Sequence, residues 1–248
     1  MGDSMNRKIL LDVASTLGKE KLIGSSKEKD VLINHYLLLE KDKKVTGEEA
    51  GDYFLFSFDD RVLYEEQEVL KKVLKKTLKS FLKKYHKGGP ILFLGLGAKD
   101  ILGDSFGPKV LDNLIATNAY NDFLTIPKVA LFSPDTQSKT GISSFRLIEM
   151  VVRSLKPDII ILIDSFKTNH FESLNRTLEV NDCGICLASK LRSNKEISRK
   201  TFDIPVLTVG YPTMFTFHKT YLNHYLLEKD IHIMAKVVSE AFNELILA

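Results

Sequence analysis

The sequence predicts an α/β fold in which a mostly parallel central sheet carries helices on both faces. From residue 89 onward, short apolar runs alternate with longer stretches whose apolar residues recur at helical spacing. Several of these runs, such as Ile159–Ile163, are apolar at every position. Strands of that kind are typical of parallel sheets that helices cover on both sides.

We predict that residues 1–88 form a smaller N-terminal portion with two helices and one strand. Apolar residues at helical spacing indicate a helix over residues 6–22. A turn over Thr46–Asp52 leads into an aromatic-rich strand at Tyr53–Phe58. A long amphipathic helix follows from Glu65 to Tyr85, with seven lysines mostly on its polar face. We interpret these lysines as a solvated helix surface in preference to a nucleic-acid patch.

We predict that residues 89–248 form the catalytic core, in which strands and helices alternate. No internal repeat or low-complexity stretch interrupts the chain, so we expect a single domain over residues 1–248. The predicted elements are, in order, strand Ile91–Leu96, helix Gly107–Ala116, strand Val129–Phe132, helix Ser143–Leu155, strand Asp158–Asp164, strand Thr177–Val180, strand Pro205–Gly210 and a helix over residues 228–247.

Composition narrows the classes of function. The formal charge of +3 on 248 residues is nearly balanced, which argues against a dedicated nucleic-acid binder. The sequence has neither an apolar run long enough to span a membrane nor a secretory signal, so we expect a cytoplasmic protein. The two cysteines, Cys183 and Cys186, lack the further ligands of a zinc site, and we expect reduced thiols. We expect no metal and no cofactor.

The first and third apolar strands of the core each lead to an aspartate. Asp104 follows Ile91–Leu96 after a glycine-containing loop, and Asp164 ends the run from Ile159. Gly95 and Gly97 begin a dinucleotide-type motif, but Asp100 stands where the third glycine would fall, so we do not expect a nucleotide. Ligands of parallel sheets bind at the carboxyl ends of the strands, and these ends therefore carry the functional information.

Two carboxyl groups at neighbouring strand ends can share one proton, because like charges that close do not both ionise readily. The ionised member activates a water and the protonated member donates to a carbonyl oxygen or a leaving amine. That chemistry suffices for peptide hydrolysis. Structural roles remain open for each residue taken singly: Asp104 as a helix N-cap, and Asp164 as a carboxylate satisfied by loop amides.

The sequence resembles the germination protease family of aspartic endopeptidases, which degrade small acid-soluble spore proteins. The segment from Gly95 to Pro108 is similar to the family motif G-L-G-N-x-x-x-T-P-D-A-L-G-P, with Asp104 at the position of its aspartate. Lys156–Phe166 resembles K-P-D-x-x-I-x-I-D-A-L, with Asp164 at the aspartate. Further matching segments are Thr140–Ile142, residues 175–185, and Ile204–Thr213.

This resemblance implies a phosphorylase/hydrolase-like three-layer sandwich with Asp104 and Asp164 as the catalytic aspartates. It also implies a protein or peptide substrate and a homotetramer. We expect the matched motifs to contribute substrate contacts, at Gly97, Thr140, Gly141, Pro212 and Thr213.

Two alternative functions remain open at this point. The family's P-G-S-G-V-G-N loop after Ile185 is replaced by Cys186–Ser193, which favours a catalytically silent relative that acts as a binding module. Residues 102–107 also partly resemble the acidic motif of nickel-dependent hydrogenase maturation endopeptidases. Those enzymes recognise nickel with two acids and a histidine, for which His170 and His218 are the candidates here.

Overall fold

The computed structural model describes residues 21–46, 49–120, 125–187, 195–215 and 224–247. The helix predicted over residues 6–22 lies almost entirely outside these ranges, as does His218. No helix within the described ranges is both long and apolar enough to cross a membrane.

The chain forms ten strands and eight α-helices within the described ranges, some of them only one turn long. The strands are β1 (Leu22–Glu28), β2 (Val31–Leu38), β3 (Gly51–Ser57), β4 (Ile91–Gly95), β5 (Val129–Phe132), β6 (Ile159–Thr168), β7 (Thr177–Asn181), β8 (Ile185–Leu187), β9 (Lys195–Ile197) and β10 (Val206–Phe215). The helices are α1 (Lys43–Thr46), α2 (Asp60–Tyr64), α3 (Gln67–Tyr85), α4 (Phe106–Asp112), α5 (Gln137–Thr140), α6 (Ser144–Leu155), α7 (Arg199–Phe202) and α8 (His224–Ile246).

One eight-stranded sheet, in the order β1-β2-β3-β7-β10-β6-β4-β5, forms the centre of the molecule. Its strands come from both sides of residue 88. The strands β10, β6, β4 and β5 pair in parallel, whereas the four pairings from β1 to β10 are antiparallel. The α/β class is confirmed, but the prediction of a mostly parallel sheet is wrong, because antiparallel pairings outnumber parallel ones.

The error arises from the β1–β2 hairpin and from β7. The strand β1 is polar and mostly exposed, so it lacks the apolar run that predicts a buried strand. The two residues between the strands, Lys29 and Asp30, include no glycine or asparagine, although Lys29 adopts a φ of 51°. The strand β7 was predicted, but its antiparallel insertion between β3 and β10 is a long-range pairing that its own residues do not indicate.

Helices cover one face of the sheet along most of its width. On this face, alternate residues of β6 and β10, including Ile161, Ile163 and Val209, pack against α3, α4 and α8. On the opposite face, Ile160 and Leu162 pack with Ile148 and Val152 of α6 and with the small β8–β9 sheet. Helices therefore lie on both faces of the parallel half of the sheet.

Several core elements predicted from apolar runs match the structure closely, although β6 and β10 extend four and five residues beyond their predicted ends and α4 ends at Asp112 instead of Ala116. The strand β5 has the predicted bounds, and α6 begins one residue later than predicted. The long helix α3 ends at Tyr85, as predicted, with His86 as its C-cap. The carboxylate of Asp158 then accepts hydrogen bonds from the backbone N–H groups of Lys87 (3.0 Å) and Gly89 (2.6 Å), which joins this turn to the start of β6.

Candidate active site

Asp164 lies in β6, one residue beyond the end of β4. Parallel pairing sets Ile163 opposite Gly95, the last residue of β4, and Asp164 opposite Gly210 of β10. The Asp164 side chain is on the same face as Ile160 and Leu162, because strand residues alternate between faces. It is only 2% exposed, and its Oδ1 accepts a hydrogen bond from the Ser165 N–H (2.9 Å). Burial of a carboxylate is unfavourable unless donors compensate it, so this position requires a specific environment.

Asp104 closes a 3-10 turn, Leu102–Asp104, that contacts both β6 and β10. Its Oδ2 accepts a hydrogen bond from the Ala98 N–H (3.0 Å), and its own N–H donates to the Ile101 carbonyl (2.8 Å). Asp104 is 4% exposed. The N-cap of the following helix α4 is Ser105, one residue after Asp104. The loop between β4 and α4 therefore folds back so that its backbone binds the Asp104 carboxyl group.

Two glycines permit the close packing that brings Asp104 toward β6. Gly97 has a φ of +116°, and a Cβ there would lie 1.9 Å from the Asp104 carbonyl oxygen. At Gly107, three residues after Asp104, a Cβ would lie 2.6 Å from the carbonyl oxygen of Ile163. That carbonyl also accepts the Leu96 N–H (2.9 Å). The chain that carries Asp104 thus packs directly on the backbone that precedes Asp164.

Pro212 and Thr213 lie in β10 at the same end of the sheet. Both are buried, next to an irregularity in the β10–β6 pairing between Pro212 and Met214. The Thr213 hydroxyl donates to the carbonyl oxygen of Gly103 (2.5 Å). This hydrogen bond connects β10 to the turn that ends at Asp104, so Thr213 fixes the position of that turn.

Thr140 and Gly141 occupy an exposed segment after β5. Gly141 has a φ of 70° and ends the one-turn helix α5. The ammonium group of Lys139 pairs with the carboxylate of Asp100, in the loop between β4 and the Asp104 turn. The segment with Thr140 and Gly141 is therefore connected to the loop that holds Asp104, but it is open to solvent.

Glu179 of β7 is a buried acid that the sequence reasoning missed. It is paired with Leu55 of β3 on one side and with Gly210 of β10 on the other, and Gly210 is in turn paired with Asp164. It is 2% exposed, and its Oε1 accepts a hydrogen bond from the Asn181 side-chain amide (2.9 Å). Alternation in Thr177–Val180 predicted a less buried strand, but every residue of β7 is buried, and only the register of three strands reveals the neighbours of Glu179.

The structure describes only one of the two histidines considered for a nickel site. His170 is partly exposed after β6, with its Nδ1 3.8 Å from a Glu172 carboxylate oxygen, and His218 is outside the described ranges. Within those ranges, no three His, Cys, Asp or Glu residues are grouped so as to hold a metal ion. Cys183 is buried and reduced.

Comparison with known proteins identifies the family of the chain. The family model for germination protease matches residues 7–222. Germination proteases of Caldanaerobacter subterraneus subsp. tengcongensis (29% identical over 188 residues), Clostridium tetani (30% over 187) and Bacillus licheniformis (31% over 190) each align with 71–72% of this chain. The alignments cover 57%, 58% and 50% of those relatives, so the chain spans about half to three fifths of their length. The family match extends over most of the sequence, and the chain therefore belongs to the germination protease family.

Proposed function

We propose that this protein is an aspartic-type endopeptidase in which Asp104 and Asp164 act together on a peptide bond. The observation that carries the proposal is the burial of both acids next to the carboxyl end of β4, where the Asp104 turn contacts β6. Ligands of parallel sheets bind at this edge. Family membership supports the reaction class, since the relatives are named germination proteases.

In the proposed mechanism the two aspartates hold one proton between them. The ionised aspartate takes a proton from a water molecule, whose oxygen attacks the peptide carbonyl carbon. The protonated aspartate donates its proton to the carbonyl oxygen, which yields a tetrahedral intermediate with two hydroxyl groups. As the C–N bond breaks, the first aspartate protonates the amine nitrogen and one hydroxyl proton returns to the second. Water is consumed and both aspartates regain their starting forms.

The remaining predicted residues fit around this pair. We propose that Gly97 leaves room beside Asp104, that Pro212 and Thr213 support the turn, and that exposed Thr140 and Gly141 contact the substrate chain. The substrate class is a protein or peptide, and a small acid-soluble spore protein is the specific candidate that the family resemblance implies.

The fold and assembly are part of the same proposal. We propose a phosphorylase/hydrolase-like sandwich in a single domain, supported by the sheet that draws strands from both sides of residue 88. We also propose a cytoplasmic homotetramer, on the basis of the family resemblance.

The test compares Asp104→Asn and Asp164→Asn with Asp100→Asn in the cleavage of a small acid-soluble spore protein. Asp100 lies in the same loop as Asp104, but its side chain is 66% exposed. Loss of either partner of an acid–base pair is expected to lower kcat/KM by about 10²- to 10⁴-fold, whereas Asp100→Asn retains activity close to wild type. Undiminished cleavage by either of the first two variants would exclude the pair.

A wild-type protein that fails to cleave but captures the spore protein would instead favour the binding-module alternative. Cleavage that requires added nickel and is lost with chelator would favour the maturation-type peptidase.

A further inference from the structure

Glu179 and Asp164 lie in one row across the sheet with a glycine between them. The register runs from Leu55 through Glu179 and Gly210 to Asp164, and directly paired residues point to the same face. Leu178 and Val180 face the helix-covered side, so Glu179 faces the other side, as Asp164 does. Two strand spacings separate the α carbons of these acids, or about 9–10 Å. Because Gly210 has no side chain, nothing from β10 stands between the two carboxyl groups.

The surroundings of Glu179 are polar although they are buried. Asn181 and Thr208 form the neighbouring pair on this face, with exposures of 1% and 0%. The Asn181 amide donates to Glu179, and the Thr208 hydroxyl oxygen has no hydrogen-bond partner among the described residues. Glu179 therefore lies among polar side chains in a region that is closed to solvent.

We propose that Glu179 is a positioning residue of the catalytic pair, which keeps the shared proton on Asp164 and thereby makes Asp164 the acid and Asp104 the base. This inference rests on the proposed function. The hydrogen bond from Asn181 stabilises a negative charge on Glu179. Gly210 separates Glu179 from Asp164 in a buried region of the sheet. A negative charge on Glu179 therefore disfavours a second charge on Asp164. The backbone N–H of Ala98 stabilises the ionised form of Asp104.

The other groups around Glu179 determine whether it can have this effect. The strand β10 contributes Thr208 and Gly210, neither of which is charged near neutral pH, and β3 contributes Leu55 and Tyr53. Asp182 and Cys183 follow β7. The carboxyl groups of Asp182 and Glu179 help to raise the pKa of the Cys183 thiol, although burial is the larger cause. Among the described residues, Asp164 of β6 and Asp104 of the turn are further titratable groups at this end of the sheet. Lys167 lies three residues after Asp164 in β6, and alternation places it on the opposite face.

The experiment follows the carboxyl carbons of Asp164 and Glu179 by ¹³C NMR as pH is varied. In Glu179→Gln, the titration midpoint of Asp164 is expected to fall by about one pH unit or more. In Asp164→Asn, the midpoint of Glu179 should stay within about 0.3 units of wild type, because Asp164 keeps its proton, and so carries no charge, over the pH range in which Glu179 ionises. Glutamine keeps the shape of glutamate and can still accept from Asn181, so the variant preserves the packing. Glu172→Gln, whose side chain is 82% exposed, is the control and should leave the Asp164 midpoint unchanged.

An Asp164 midpoint that moves by less than about 0.3 units in Glu179→Gln would overturn the proposal, and so would a Glu179 midpoint that falls in Asp164→Asn, since Glu179 would then be the acid that keeps the proton. This NMR result does not depend on cleavage, so it remains decisive even if Asp104 and Asp164 prove not to be catalytic. Where cleavage is observed, the alkaline limb of kcat/KM should move to lower pH in Glu179→Gln, because Asp164 then loses its proton earlier. An unchanged limb would contradict the assigned roles.

Discussion

Two groups of buried acidic residues lie on opposite faces of the central sheet. On the helix-covered face, Asp230 of α8 accepts hydrogen bonds from the Arg176 guanidinium (3.0 Å) and from the Tyr64 hydroxyl. On the other face, Asp164 accepts from a backbone N–H, and Glu179 accepts from a side-chain amide. Asp230, Asp164 and Glu179 are all almost fully buried.

The difference lies in what each group connects. Arg176 also binds the Asp60 carboxylate (2.6 Å), so the cluster of Asp230, Arg176, Tyr64 and Asp60 joins α2, α8 and the residue before β7. Burial and Asp230 raise the pKa of Tyr64, which keeps its hydroxyl a donor. Asp164 and Glu179 instead lie in neighbouring parts of one sheet face near the Asp104 turn. The first cluster therefore connects elements of the fold, whereas the second contains Asp164, for which we propose a catalytic role.

The largest expected effect on stability follows from removing the cation of the first cluster. Arg176→Met should lower the free energy of unfolding by about 3 kcal/mol, the lower end for a broken buried ion pair, because Tyr64 still donates to Asp230. Urea unfolding at neutral pH measures this change. Cleavage activity per folded molecule should stay close to wild type, since this cluster is on the other face from Asp164.

The matched control is Arg153→Met, which removes an exposed pair with Glu149 and should cost less than about 1 kcal/mol. The double variant Arg176→Met, Asp230→Asn should recover part of the lost stability, because it removes the buried charge. If Arg176→Met and Arg153→Met cost the same, the structural role of the Asp230 cluster would be refuted.

The two halves of the sheet also differ in how far the sequence predicts them. The apolar runs at Val129–Phe132 and Ile159–Ile163 predicted strands of the parallel half, because a strand buried on both faces leaves a continuous local signal. The β1–β2 hairpin was missed because its first strand is exposed and its turn lacks the usual residues. Strand order is set by contacts far apart in sequence, so the antiparallel position of β7 could not be predicted from local patterns.

The candidate site shows the same limit. The sequence predicted a site at Asp104 and Asp164 because each follows an apolar run, and ligands of parallel sheets bind at strand ends; their catalytic role stays a prediction. The hydrogen bond from Thr213 to Gly103 and the nearness of Glu179 to Asp164 depend on the register of β10 with its neighbours. A local sequence pattern contains no information on that register.

A smaller effect on stability is expected at Gly97, with a specific effect on the site. Gly97→Ala would introduce a Cβ 1.9 Å from the Asp104 carbonyl oxygen at a φ of +116°, so the turn must shift. We expect a loss of roughly 2 kcal/mol from backbone strain and repacking. A displacement of Asp104 by about 1 Å should lower kcat/KM by roughly 10²-fold. The variant tests whether a small change in geometry near Asp164 lowers cleavage activity, whereas the changes at the Asp230 cluster lower only the free energy of unfolding.

Gly88→Ala is the control for backbone strain alone. Gly88 has a φ of +98°, but no atom lies within 4 Å of the added Cβ. The Gly88→Ala variant should have a lower free energy of unfolding than the wild type but the same cleavage activity. Equal effects on kcat/KM at Gly88 and Gly97 would show that the close approach to Asp104 has no role.

The smallest effect is expected at Cys183, which lies on the same face as Glu179 and packs with Tyr53 and Leu55. Burial raises the pKa of its thiol, with Asp182 and Glu179 adding to the effect, so the thiol stays protonated in the folded protein. The unfolded chain loses this proton near pH 8.5, and stability must therefore fall as pH rises above that value. Relative to Cys183→Ala, the wild-type free energy of unfolding should fall by about 1 kcal/mol between about pH 8.5 and 9.5. Urea unfolding of both proteins in a Cys186→Ser background, which leaves one thiol, measures the difference. If the free energies of unfolding of the two proteins depend on pH in the same way, the Cys183 thiol ionises as readily as a solvent-exposed thiol does. The contrast between this face and the Asp230 cluster would then have to rest on geometry alone.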